Sequence, residues 1–148
     1  MPKIKNKLFL IDAFALIYRA YFAFAKNPRI NSKGLETSAV FGFTSSLLEI
    51  LRKENPSHIA VVFDTKKPTE RHIEFPQYKA HRDAMPEGIS LALPYIDKLL
   101  EALKIPKLFM DGYEADDVIG TIAKKAEKNG FQVYMMTLSL IHIYEPTR

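Results

Sequence analysis

The sequence predicts an α/β domain with a mainly parallel central sheet flanked by helices. Three observations predict it. Short, wholly apolar runs such as Leu8-Phe9-Leu10-Ile11 have the composition of strands buried on both faces. Between them lie segments whose apolar residues recur at helical spacing. The two patterns alternate along the chain, as parallel strands joined by crossover helices require.

The elements follow in order. Leu8–Ile11 is the first strand, and it ends at Asp12. Ala13 to Phe24 reads as a helix with Leu16, Ala20 and Ala23 on one face. Asn27 to Gly34 (NPRINSKG) is a loop by its Pro, Asn, Ser and Gly content. Thr37 or Ser38 can cap a second helix running to about Asn55, with Val40, Phe43, Leu47, Ile50 and Leu51 at helical spacing and Pro56 ending it. Ile59–Phe63 is a second buried strand, closed by Asp64. Residues 65–88 carry three prolines, many basic residues and few aliphatic ones, and are expected to form an exposed excursion with short helical pieces. Ile89–Leu103 is helical, with a kink or restart expected at Pro94. Lys107–Met110 is a short strand candidate. Ala115–Asn129 is a helix opened by Gly112-Tyr113-Glu114 and stopped by Gly130, and Phe131–Met136 is a fourth strand.

The chain of 148 residues matches about one domain by length, with 47% hydrophobic and 26% charged residues. There is no Cys, which excludes disulfide frameworks, Cys-ligated metal and thiol nucleophiles and suits a reducing compartment. The net charge of +4 allows a polyanionic partner without demanding one. The N-terminal segment has the outline of a secretory leader, but Asp12 and Arg19 interrupt its apolar run. Each would cost about 2.5–3.5 kcal/mol at the centre of a membrane-inserted helix, so no leader and no membrane association are expected. No P-loop, GxGxxG or nucleophile-elbow motif is present, and the four His residues show no metal-ligand spacing. Phe14 stands where a haloacid-dehalogenase-like phosphatase would want a second acid, and only one acid, Asp12, ends the first strand where a receiver-type phosphoacceptor would want a pair.

Sites in parallel α/β sheets form outside the carboxyl ends of the strands. Asp12 and Asp64 occupy that position, and Glu114, Asp116 and Asp117 sit where the third strand feeds its helix. Five carboxylates from three distant segments can therefore meet on one rim. Each also has a plainer reading. An Asp closing a strand can serve as a cap, and acids at a helix N-terminus are favoured by the macrodipole at ~0.3–1 kcal/mol each. What favours chemistry is that three successive units place acid at the same edge. Crowded carboxylates repel unless cations neutralise them, and hard ions such as Mg²⁺ or Mn²⁺ suit oxygen ligands. Two such ions roughly 3.5–4 Å apart can activate water and stabilise a leaving oxygen in phosphodiester hydrolysis. The excursion adds the complement. Lys79 and Arg82 are three apart and can face one phosphate, and Tyr78 offers a ring for a base. Glu70, Glu74 and Asp83 nearly balance its charge, so a solvated loop is the alternative. Arg19, with Tyr18, Tyr21 and Phe22, forms a second basic–aromatic patch, although aromatic residues at helical spacing also serve as core.

Four blocks, LFLIDAFALIYRAYFAF, AVFGFTSSLLEIL, VVFDTKKPTERHIEFPQYKAHRDAMPE and GYEADDVIGTIAKKAEKNGFQVYMMT, occur in the order and spacing of a known family. Through them, residues 7–137 resemble the N-terminal 5′→3′ exonuclease domain of bacterial DNA polymerase I, a flap-endonuclease, PIN-like nuclease family. The resemblance implies a PIN-like fold, incomplete at the C-terminus, with a helical arch at about 65–88. It implies that Asp12, Asp64, Glu114, Asp116 and Asp117 belong to a divalent-metal site taking Mg²⁺ or Mn²⁺. Lys79 and Arg82 match catalytic basic residues of the arch, and Arg19, Arg71 and Tyr78 match positions of DNA contact. The implied enzyme is a metal-dependent 5′→3′ exodeoxyribonuclease of replication and repair, acting on DNA with a 5′ end or flap and on primer RNA. The implied setting is a cytoplasmic parent chain that carries a polymerase domain.

After Thr137 the pattern departs. The family continues with a TxDxD-like run, whereas this chain reads LSLIHIYEPTR, with Leu138 and Leu140 and no Asp. The missing acids chiefly serve a second metal, so the second site is expected to be incomplete and turnover weak or absent. Residues 1–137 then form the front part of the domain, and 138–148 a tail foreign to the family, through a broken reading frame or a degenerate truncation. Ile141-His142-Ile143-Tyr144 nevertheless alternates like a strand. Two other readings stand beside this one: a non-catalytic DNA-binding module that keeps the arch contacts, and a PIN-type ribonuclease.

Overall fold

The computed structural model describes residues 6–65 and 85–136 and the backbone of 141–143. Residues 66–84, most of the excursion expected at 65–88, with Arg71, Tyr78, Lys79 and Arg82, lie outside the described residues. Five strands form one sheet: β1 (Lys7–Asp12), β2 (His58–Val62), β3 (Lys107–Leu108), β4 (Gln132–Met136) and β5 (Ile141–Ile143). Their spatial order is β3-β2-β1-β4-β5. The β1–β2, β1–β4 and β2–β3 pairs are parallel, and β5 alone runs antiparallel, along β4. Ile141–Ile143, within the run read as alternating at 141–144, thus joins the sheet.

Alternation along β1 divides the core. Phe9 and Ile11 enter one cluster and Leu10 the other, and all three are fully buried. The first cluster lies under three helices, α1 (Ala13–Ala23), α2 (Ser38–Lys53) and α3 (Glu87–Ala102). The second lies under α4 (Ala115–Lys128), which contributes Ala115, Ile119, Ala123 and Ala126 against Leu10, Ala60, Val62 and Val133. Each large side chain wholly withdrawn from water, such as Phe43, Leu47 or Ile96, contributes about 1.5–3 kcal/mol. Phe9 also stacks on Tyr134 across the β1–β4 pair, with ring centroids 4.8 Å apart.

The helices of the first layer cross closely. A Cβ on Gly42 of α2 would lie 2.6 Å from Ala20 Cβ of α1, so the absence of a side chain sets that approach. Gly130 stops α4 as expected. Its φ of 84° is in the left-handed region, and the Phe131 N–H donates to the Ala126 carbonyl at 3.0 Å.

Three expectations need correction. α3 begins at Glu87 and is one helix through Pro94, so the chain does not restart there. Pro94 is exposed, as is Ser90, whose carbonyl loses its helical donor, so water can take that role. Meanwhile buried Ile89, Ala92, Ile96 and Leu100 hold both halves of the helix on one core, which offsets the ~3 kcal/mol cost of an internal proline. β3 is two residues long, because the chain leaves the sheet at exposed Phe109 and Met110. Thr37 takes the N-cap position of α2 without a capping bond; its hydroxyl donates to the Arg29 carbonyl at 3.4 Å.

A candidate metal centre at the sheet rim

Asp12 is the last residue of β1 and the N-cap of α1. Its Oδ1 accepts from the Ala15 N–H at 3.2 Å, which fixes the carboxyl at the strand-to-helix turn. The parallel register sets Asp12 opposite Val62, so Asp64 follows two residues beyond the end of β2 on the same rim. Asp64 Oδ1 accepts from the Ala115 N–H at 2.7 Å. That bond joins residues 51 apart in sequence and anchors the start of α4 to the end of β2. No local pattern signals this partner, because any residue but proline at 115 supplies the same N–H.

Glu114 is the N-cap of α4, and it and Asp117 form a capping box. The Glu114 N–H donates to Asp117 Oδ2 at 3.3 Å. Glu114 is 5% exposed, one of two buried polar or charged residues among those described. Asp117 is half-buried, and Asp116 faces solvent. Capping and chemistry therefore coexist in the same acids: the cap geometry holds them on the rim.

The electrostatics show which carboxylates meet. Burial is the largest influence on Asp12 and raises its pKa to about 6. The Ala15 N–H pulls the other way. The charges of Asp64 and Asp116, and a side-chain hydrogen bond with Asp116, raise it further. Acids from the β2 end and from α4 thus bear on the acid that ends β1. Glu114 and Asp117 are at the same helix start but are engaged in its cap. Among the described residues, no three His, Cys, Asp or Glu side chains stand close enough to enclose an ion by themselves. The donor set nevertheless fits a hard divalent cation. All the candidate ligands are carboxylate oxygens, and the charges of two of them, Asp64 and Asp116, disfavour ionisation of Asp12. Mg²⁺ in particular is held by one or two carboxylates while keeping several waters.

Arg19 is exposed on α1, roughly 10 Å along the helix from Asp12. Of its aromatic neighbours in sequence, Tyr18 and Tyr21 pack against the core and Phe22 is exposed. Phe109 and Met110, expected in a strand, and Tyr113, expected to open the following helix, lie exposed in the loop before α4.

Among known proteins, the chain is 47% identical over 135 residues to DNA polymerase I of Geobacillus stearothermophilus, covering 90% of this chain and 15% of that protein. It is 45% identical over 130 residues to DNA polymerase I of Bacillus subtilis, covering 87% and 14% respectively. The chain thus spans about 15% of the length of these relatives. Its fold is similar to that of the bacteriophage T5 D15 flap endonuclease, crystallised as a pseudo-enzyme–product complex with DNA and metal ions. The TM-score is 0.61 at 20% identity, covering 89% of this chain and 48% of the T5 chain. With residues 7–138 matching its model, the chain belongs to the family of the 5′-3′ exonuclease N-terminal resolvase-like domain.

Proposed function

We propose that this chain is the metal-binding front part of a 5′→3′ exonuclease and flap-endonuclease domain acting on DNA phosphodiesters, in a parent that also carries a polymerase. One observation carries the reading: acids from three distant segments interact on a single sheet rim in a chain of this family. Two carboxylates from among Asp12, Asp64 and Asp116, with water filling the remaining positions, would hold a first divalent ion, Mg²⁺ or Mn²⁺, and Glu114 and Asp117 would fix the helix start beside it. When bound, such ions lower the pKa of water and neutralise charge on a departing oxygen. The chain's own residues do the rest. The Asp64–Ala115 bond keeps the β2 and α4 acids at a fixed spacing. Lys79 and Arg82 of the arch would clamp the scissile phosphate, and Arg71, Tyr78 and exposed Arg19 would contact the strand. Primer RNA fits the same phosphate chemistry as a further substrate.

The resemblance places acids where this chain has Leu138 and Leu140, so the second ion would be weakly held and turnover slow. That same observation favours a second reading, a DNA-binding module without chemistry. Both predict salt-sensitive binding of a 5′-flap duplex. Only the first predicts slow cleavage that requires Mg²⁺ or Mn²⁺ and stops with Asp116→Ala. Turnover at the rate of an intact family enzyme would overturn the incomplete second site, and cleavage in chelator would overturn the metal mechanism.

A further inference from the structure

The loop between β3 and α4 presents three large apolar side chains within five residues. Phe109 is 65% exposed, Met110 55% and Tyr113 46%. Single exposed apolar residues are ordinary, but three in one five-residue loop offer more apolar surface than scattered ones do. This loop is held at both ends. The Phe63 N–H donates to the Leu108 carbonyl at 2.8 Å, so Phe109 leaves the sheet about one strand spacing, roughly 5 Å, from the chain that continues into Asp64. At the other end the Tyr113 N–H donates to the Met110 carbonyl at 3.1 Å, and Gly112 turns the chain with a φ of 86°. Tyr113 is then followed directly by buried Glu114, the cap of α4. The apolar loop therefore borders the acidic rim on its β3 side.

We propose that Phe109 and Tyr113 form a stacking platform for a nucleobase of the strand whose phosphate lies at the acidic rim. This rests on the nuclease reading above and adds a binding subsite to it. A nucleic acid offers the two chemistries this border offers in return. Its phosphates suit a cation held by the carboxylates, and its bases suit exposed rings, because every base has a π-face. A protein strand is a poorer occupant. β3 exposes only a two-residue edge, too short for added-strand pairing to contribute much. Because the platform reads no base edge, it selects for an unpaired or splayed nucleotide rather than for sequence.

The test is equilibrium binding of a fluorescent duplex carrying a 5′ single-stranded tail, in Ca²⁺, to the full chain. Phe109→Ala with Tyr113→Ala should weaken binding roughly 5–100-fold. Phe109→Leu with Tyr113→Leu, which keeps apolar bulk without rings, should do the same, and Tyr113→Phe should retain affinity. A series of substrates with one abasic nucleotide near the junction supplies the decisive cycle. At one position the missing base should weaken the wild-type chain and have no further effect on the double variant. Equal affinity of wild type and double variant overturns the platform while leaving the nuclease reading intact, as do losses that simply add at every position. A double variant that loses self-association with DNA affinity unchanged identifies a protein contact instead, and also overturns it. A wild-type chain that does not bind the duplex overturns the platform together with the nuclease reading.

Discussion

Asp12→Asn should stabilise the metal-free fold at neutral and alkaline pH, although it removes a residue of the candidate centre. The reasoning is one of proton linkage. Burial first, and then Asp64 and Asp116, raise the Asp12 pKa from 3.8 to about 6. Between those values the folded chain binds more protons than the unfolded chain, so stability falls as pH rises through the window and is fully reduced above it. The gap sets an upper bound of about 3 kcal/mol, and partial exposure of Asp12 to solvent reduces that to about 1–2 kcal/mol. Asparagine is neutral at all these pH values and caps a helix as well as aspartate does, so the bond from the Ala15 N–H is kept. Its amide can also donate toward Asp64 and Asp116. Thermal unfolding in chelator at pH 4, 6 and 8 should show wild type losing stability between pH 4 and 6 from this group. The variant should lack that component and melt about 3–8 °C higher at pH 8. A variant no more stable than wild type at pH 8, or one with the same pH dependence, would refute the reasoning.

Two further predictions concern the scaffold and the arch. Gly42→Ala should destabilise the chain by about 1–2 kcal/mol in denaturant unfolding, because the clash with Ala20 exceeds the ~1 kcal/mol gained in helix propensity. Lys79→Ala and Arg82→Ala, if these side chains meet phosphates, should each lower the magnitude of the slope of log Kobs against log salt by about 0.7–0.9 for DNA binding. An unchanged slope would place them away from the backbone.

The parts of the fold that local pattern can carry were legible. β1 and β2 show as apolar runs with an acid at or just beyond their ends, and Gly130 shows as the stop of α4 because a left-handed residue is needed there. That Asp12, Asp64 and the 114–117 acids lie toward one edge was legible because parallel strands send their carboxyl ends the same way. What local pattern does not contain is long-range. Pro94 stays helical because both flanking turns share a buried face, and that sharing is a tertiary fact. The Asp64 bond to the Ala115 N–H depends on a backbone donor that every non-proline residue has. The division of labour at 114–117 was hidden as well, since spacing alone pairs Glu114 with Asp117 but does not send Asp116 toward Asp12. The exposure of Phe109 and Met110 was missed because an apolar pair beside a strand looks the same in sequence whether buried or displayed.

The central claim is that the rim bearing Asp12, Asp64 and Asp116 binds a divalent cation through two of its carboxylates and water. Titration of Mn²⁺ into the chain at pH 7.5, followed by the loss of the free-ion electron paramagnetic resonance signal, tests it directly. The account predicts saturable binding of one ion in the wild type, with affinity lowered at least tenfold by Asp116→Ala and by Asp64→Ala and unchanged by Asp97→Ala, a carboxylate that pairs with Lys107. Absence of saturable binding, or affinity indifferent to Asp64 and Asp116, would contradict it.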